Sequence, residues 1–510
     1  MSTTVRQQHS NSSSTSIGAA LPPEESKWFT DHMLFHYRRC RRRTYLDTYG
    51  NPTDKDPPSD YFTKLRQDSA EHRQAILNKF APLSRPTYTP GDWQAGANAT
   101  YRLMCEGADA IYRGVLVLPG PDKTVYRAEP DLLVKQPGNS WLGKWYYLPY
   151  NVKLGKKPKP EYQLTATFAA YLLAEIQGVW PETAGLFLKE KEYSVNLERY
   201  VPKLQEALDS SHEVMGAPQP PEVFISRNRC SLCPWLSHCY AKAKDTQHLS
   251  LLPGVTLTRY PTLVELGLTT VEALAEVDST ILTDALGTEH HISQMLIYQA
   301  QATARGMAIP RMHSGYFPLT ANDVPSNNIE LYFDIEAAPD KDLIYLHGVL
   351  VVDSDTQEET FHALLAEAPE EEEKAWFEFL VLVASYPQAP IYHFCPYEAQ
   401  TVARLATQYG TNGIDINALL NRFVDIHKRI VDAVALPVES YALKHLARWM
   451  GFEWRDEDAN GAQSICWYDN WLTSGDRTHL DTILRYNEDD CQATYRVKDW
   501  LVKFAQPFWE

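Results

Sequence analysis

The sequence predicts an α/β protein built from more than one domain, on three observations. The chain runs to 510 residues, beyond one ordinary domain. Apolar residues make up 44% and charged residues 22%, an ordinary balance for a protein with substantial cores. Strand-like runs followed by helical runs occur twice, in 110–214 and from 329 onward, on either side of a stretch that is helical only.

In chain order, 1–26 reads as a disordered tail, Ser/Thr-rich at its start and lacking the apolar core of a signal peptide. Residues 28–49 and 61–80 read as helical, with Gly50-Asn51-Pro52 as a breaker between them. A strand over 110–118 precedes a hairpin of 125–134 and 145–154, whose loop includes Lys135-Gln136-Pro137-Gly138-Asn139. The Ala/Leu-rich run 162–177, closed by Gly178, is a helix, and 204–214 another. These make up a first domain, 27–248. Residues 249–303 form a helical connector. Its two short helices around Gly267-Leu268 resemble a helix-hairpin-helix, which presents backbone N–H groups to phosphate, or serve as a structural spacer. Residues 304–328, rich in Gly, Pro and Asn, read as a linker. In the last domain, 329–510, a hairpin (329–336 and 342–353) leads to helix 369–386, strand 390–394 and helix 397–409. This order implies a mixed sheet.

The charge balance is 48 basic against 65 acidic residues, a net −17. Any nucleic-acid contact must therefore come from local basic patches or through metal ions. The candidate patches are Arg38 to Arg43 and Lys153 to Lys159. No apolar run reaches the roughly 18–20 residues of a membrane span. The eight cysteines do not form a secreted disulfide framework, so the expected setting is the reducing cytoplasm, with no membrane partner.

In the strand 329–336, Asp334 and Glu336 are two apart and share a face. Two carboxylates so placed repel unless a cation lies between them. Tyr486 and Asp490, at i and i+4, share a face of the last helix. Glu398 opens a helix just after a strand end, within His393-x3-Tyr397-Glu398. This ordered set resembles the DEDD exonucleases, DnaQ-like enzymes of RNase H fold, and is most similar to the YprB-like group. The resemblance implies that Asp334, Glu336, Glu398 and Asp490 hold Mg²⁺ or Mn²⁺, that Tyr486 orients the attacking water, and that the reaction is 3′–5′ exonucleolytic. The middle acid departs from that pattern: it is Glu398 where Asp is usual, with His393 in place of Asn. Asp425 and Lys444 stand where such domains often carry further polar residues.

The first domain carries Glu129-Pro130-Asp131 in one hairpin strand and Asn151-Val152-Lys153 in the other, with Gln163 opening the next helix and His72 on an upstream helix. This order resembles the PD-(D/E)-x-K core of RecB-like nucleases. It implies metal binding by Asp131 and His72 and catalytic roles for Asp131, Lys153 and Gln163. Asn151 replaces the second acid, and Thr167 stands where a tyrosine is usual.

Cys230-x2-Cys233-x5-Cys239, with Cys40 far upstream, could supply four thiolates to zinc or to an iron–sulfur cluster. One cysteine before the core and three after it resembles the iron–sulfur RecB-like nucleases, which implies a [4Fe-4S] cluster on Cys40, Cys230, Cys233 and Cys239. The whole arrangement is similar to bacterial RecB-like nucleases with a C-terminal RNase H-like domain. That resemblance implies a metal-dependent nuclease acting on single-stranded nucleic acid, DNA favoured, with a helicase or repair enzyme as partner. The rival expectation is a non-catalytic scaffold that binds a strand for another enzyme.

Overall fold

The structure, a computed structural model, describes residues 27–509, so the expected tail 1–26 lies outside the described residues. The chain divides into two compact units. One comprises residues up to 57, then 62–223 and 229–237; the other comprises 58–61, 224–228 and 238 to the C-terminus.

The first unit holds a three-stranded and a five-stranded sheet. The segment expected as one helix over 28–49 is a strand, Lys27–Thr30, followed by helices Asp31–Arg39 and Arg41–Tyr49. Cys40 lies extended between them. The expected first hairpin strand is also broken. Thr124–Ala128 pairs with Lys27–Thr30 in the small sheet, whereas Leu132–Ser140 pairs antiparallel with Gly143–Val152 in the large one. Pro130, which has no N–H to give a ladder, sits at the break, so Glu129 and Asp131 belong to a crossing between sheets. Residues 135–139, expected as a loop, continue the strand to Ser140. The helix Pro160–Gln177 begins on proline and stops at left-handed Gly178 (φ 72°), which only glycine adopts without strain. It is buried on most sides, with Leu164, Phe168, Leu172 and Leu173 in the core. It connects the parallel strands Gly143–Val152 and Ala184–Phe187.

The second unit is built on a five-stranded mixed sheet in the order Glu358–Leu365, Leu343–Asp353, Ile329–Ala338, Ile391–His393, Phe423–Asp425. The first three strands are antiparallel and the last two add in parallel. The sequence reading lacked Glu358–Leu365, an edge strand with no buried residue. Alternation along Ile329–Ala338 decides which helix covers which face. Leu331, Phe333 and Ile335 pack with Trp376 and Phe379 of helix Glu372–Ser385. Tyr332, on the opposite face, packs with Tyr486, Cys491 and Val497 of helix Arg477–Ala505. Asp334 and Glu336 share the parity of Tyr332, so the sheet delivers them to that final helix.

The helical connector has its own small core, including Leu263, Leu274, Leu282 and Leu296. Residues 304–328, expected as an irregular linker, are tied into the fold. Ile309–Pro310 pairs with Val434–Ala435, and Leu319 and Val324 are buried. Arg311, 3% exposed, donates to the carbonyl of Val431 and the hydroxyl of Tyr441. None of the described helices is long and apolar enough to cross a membrane.

Candidate metal centre

The carboxylates of Asp334, Glu336 and Asp490 each place an oxygen within 4.8 Å of the others, although 154 residues of sequence separate strand from helix position. This is the group of three or more candidate ligands that converges in this way among the described residues. Glu336 and Asp490 are buried. Burial, with Asp490 beside it, pushes the Glu336 carboxyl up to about 8. Burial pushes Asp490 up to about 7, against hydrogen bonds from Trp454 and Tyr486. Asp334 is raised well above the usual carboxylate range, by burial and then by Asp490, Glu336 and Glu398. Such a group holds its charges poorly by itself, and divalent cations relieve both the repulsion and the burial cost. The donor set, three hard carboxylates, fits Mg²⁺ or Mn²⁺.

Neighbours fix the trio. Asn487, fully buried on the final helix, donates from Nδ2 to Asp334 Oδ2 at 2.7 Å. Its Oδ1 occupies the space that a Cβ on Gly348 would need, and Gly348 stands opposite Asp334 in the sheet. Trp454 donates its indole N–H to Asp490 Oδ1 at 2.7 Å. Ser464 and Tyr345 hydrogen-bond to each other at 2.6 Å and also to Glu336. Tyr486 hydrogen-bonds Asp490, and its phenol is pushed far up by burial and the nearby carboxylates. Lys444 lies against the Tyr486 and Trp454 rings and bonds the Ala459 carbonyl.

Glu398 stands apart from the trio, with its Oε2 3.3 Å from His393 Nδ1. The carboxyl is buried and raised, burial being the main cause and His393 opposing it. Asp425 accepts from the N–H of Cys395 and caps the helix that follows it. Asp489, which the helical pattern would leave facing solvent, is 2% exposed. It receives Arg455 Nε at 2.7 Å and the Arg455 N–H at 2.9 Å. The sequence reading missed Asn487, Trp454 and Ser464. A buried amide beside Tyr486 was the one local signal; the other two reach the site by tertiary packing alone.

In the first unit, Asp131 is buried at the sheet crossing. Its Oδ2 accepts from the N–H of Val152 at 2.7 Å, and its Oδ1 is 2.8 Å from Arg73 Nε. Asn151 is buried with its Oδ1 unpartnered, as is His72 Nε2. The His72 imidazole is held below its usual value by burial and by Lys189, Lys79 and Arg73. Gln163 donates to the Pro158 carbonyl at 2.8 Å and accepts from Tyr193. Lys153 lies 5.9 Å from the Tyr162 ring centroid.

The two units divide the cysteine run, with Cys40, Cys230 and Cys233 in the first and Cys239 in the second. Within the first, Cys233 is raised by burial, and Cys40 adds to the shift. Trp235 donates to Asp47 Oδ1 at 2.9 Å and packs where a side chain on Gly50 would clash.

Residues 331–502 match the RNase_H_2 family model of the RNase H superfamily. No curated protein matches the chain. The matched segment spans the mixed sheet, the carboxylate trio and the final helix, and it supports a metal-dependent nuclease acting on nucleic acid.

Proposed function

We propose that the RNase H-like domain of this chain is a 3′–5′ exonuclease that acts on single-stranded nucleic acid, DNA favoured, and that it is the cutting centre of the protein. The convergence of Asp334, Glu336 and Asp490 carries the reading. With Glu398 as fourth carboxylate, these residues would hold two divalent cations, which stabilise the entering and leaving oxygens of phosphodiester hydrolysis. Tyr486, hydrogen-bonded to Asp490, orients the attacking water. Asn487 and Trp454 keep Asp334 and Asp490 from swinging out of the group. Lys444 adds positive charge beside Asp490.

The first unit is read as a RecB-like domain that binds strand without cutting. Two observations favour this. The Arg73 guanidinium already pairs with Asp131, and Asn151 offers a neutral amide where a second carboxylate would strengthen a cation site. Cys40, Cys230, Cys233 and Cys239 are proposed as ligands of a [4Fe-4S] cluster. The Cys40–Cys233 proximity and the docking of Trp235 near Gly50 support that reading.

The test is Mg²⁺- or Mn²⁺-dependent degradation of 3′- and 5′-labelled single strands. Wild type should shorten the 5′-labelled strand stepwise and release mononucleotide from the 3′ label at once. Full activity in Asp334→Ala would overturn the assignment.

A further inference from the structure

The two basic runs of the sequence, near 40 and near 155, meet around one aromatic pair. Phe35 on helix Asp31–Arg39 stacks on Tyr162, in the first turn of helix Pro160–Gln177, with centroids 6.1 Å apart and planes 9° from parallel. Arg39 lies 5.7 Å from the Phe35 centroid. Lys153 and Lys159 lie 5.9 and 5.7 Å from the Tyr162 centroid. Both rings are half-buried, so each is anchored yet keeps accessible surface. The backbone at Gly155 closes on Tyr162, since a Cβ there would come within 3.1 Å of the ring. The ring orientation is therefore fixed by the loop that carries the lysines.

We propose that the Phe35–Tyr162 stack, flanked by Arg39, Lys153 and Lys159, is a holding platform for single-stranded nucleic acid in the first unit. The chemistry is specific to an unpaired strand. Its bases expose π-faces that stack on aromatic rings, and its phosphates pair with cations set around those rings. A duplex hides its base faces and offers phosphates alone. In a chain of net charge −17, three cations gathered on one aromatic pair form a local exception to the overall field. Glu161, beside Tyr162, is the acidic neighbour that limits the cluster's charge. The platform rests on the reading that the chain handles nucleic acid, but not on which carboxylates cut it.

The experiment is fluorescence anisotropy on the full chain in EDTA, so that no hydrolysis intervenes. The probes are labelled oligothymidylate, oligouridylate and a blunt DNA duplex. Replacing both rings (Phe35→Ala with Tyr162→Ala) should weaken single-strand binding about tenfold, whereas Tyr162→Phe should leave it unchanged. Lys159→Gln, at an exposed site, should lower the slope of log affinity against log salt by about 0.7. Wild-type affinity in a folded double variant would overturn the platform. So would an unchanged salt slope in Lys159→Gln, which decides the matter if the double variant fails to fold. Equal binding of duplex and single strand, with equal losses, would also overturn it. The two oligonucleotides distinguish DNA from RNA as the strand held. In an Asp334→Asn background, which does not cut, replacing both rings should weaken single-strand binding by the same factor, so loss of cutting and loss of holding are read separately.

Discussion

Asn487 holds Asp334 by a 2.7 Å hydrogen bond, and it can do so because the facing strand carries glycine at 348. Its amide is wedged between a carboxylate and a bare backbone. A methyl at Gly348 would push the amide away from Asp334 before disturbing the sheet. Gly348→Ala and Asn487→Ala should therefore each cut the metal-dependent rate by roughly 10–100-fold, the range seen when a partner of a metal ligand is removed. Circular dichroism would show whether the fold survives. Full activity in folded Gly348→Ala would refute the wedge.

The raised carboxyls make stability depend on pH in a definite direction. Glu336 moves from an ordinary 4.5 up to about 8, and Asp490 from 3.8 to about 7. Folded values above the unfolded ones mean that ionisation opposes folding. Their favourable contribution is complete below about pH 4 and lost as pH rises through 7 to 8. In EDTA, the melting temperature of the unit carrying the trio should fall by on the order of 5 °C between pH 5.5 and 9. Mn²⁺ should restore more at pH 9 than at pH 5.5. Equal gains at both pH values would contradict the assignment of these carboxyls as cation ligands.

Asp334→Asn replaces a carboxyl whose ionisation burial and the neighbouring carboxylates oppose. Without metal, it should raise the melting temperature at pH 8 while lowering the nuclease rate more than about a hundredfold, since the ligand itself is lost and not merely its partner. A variant that gains stability while losing activity separates a strained site from a damaged fold.

Asp131→Ala should leave Mg²⁺-dependent degradation within about twofold of wild type, because Arg73 already neutralises that carboxylate. A large loss in this variant would return a cutting role to the first unit.

Protein purified without oxygen should be brown and contain about four irons and four sulfides per chain. Cys40→Ser and Cys233→Ser should lose both. Stoichiometric zinc in place of iron would refute the cluster.

The centre of the RNase H-like domain was legible because its signals are local. A two-residue period puts Asp334 and Glu336 on one strand face, and i, i+4 spacing pairs Tyr486 with Asp490. What closes the site was not legible. Trp454 lies 36 residues from Asp490 and Asn487 lies 153 from Asp334, so only the folded sheet brings them together. Asp489 misled for a related reason. Helical periodicity reports where a side chain points, but not whether an arginine from elsewhere covers it. In the first unit, the Asp131 segment read as continuous strand because its residues suit either sheet, and Pro130 alone marked the change.

Arg311 bears on how the C-terminal half can be divided. Its guanidinium is shared among the Val431 carbonyl, Tyr441 and Gln299, and Gln299 in turn donates to the Leu436 carbonyl. Tyr240 reaches Glu439 at 2.7 Å from farther upstream. A gene fragment starting at 329, where the composition changes, would leave the Val431 carbonyl and the Tyr441 hydroxyl without Arg311, and the Leu436 carbonyl without Gln299. One starting near 238 carries its own plug. The stretch from Gln299 to Arg311 is thus a wall of the C-terminal domain rather than a tether to it.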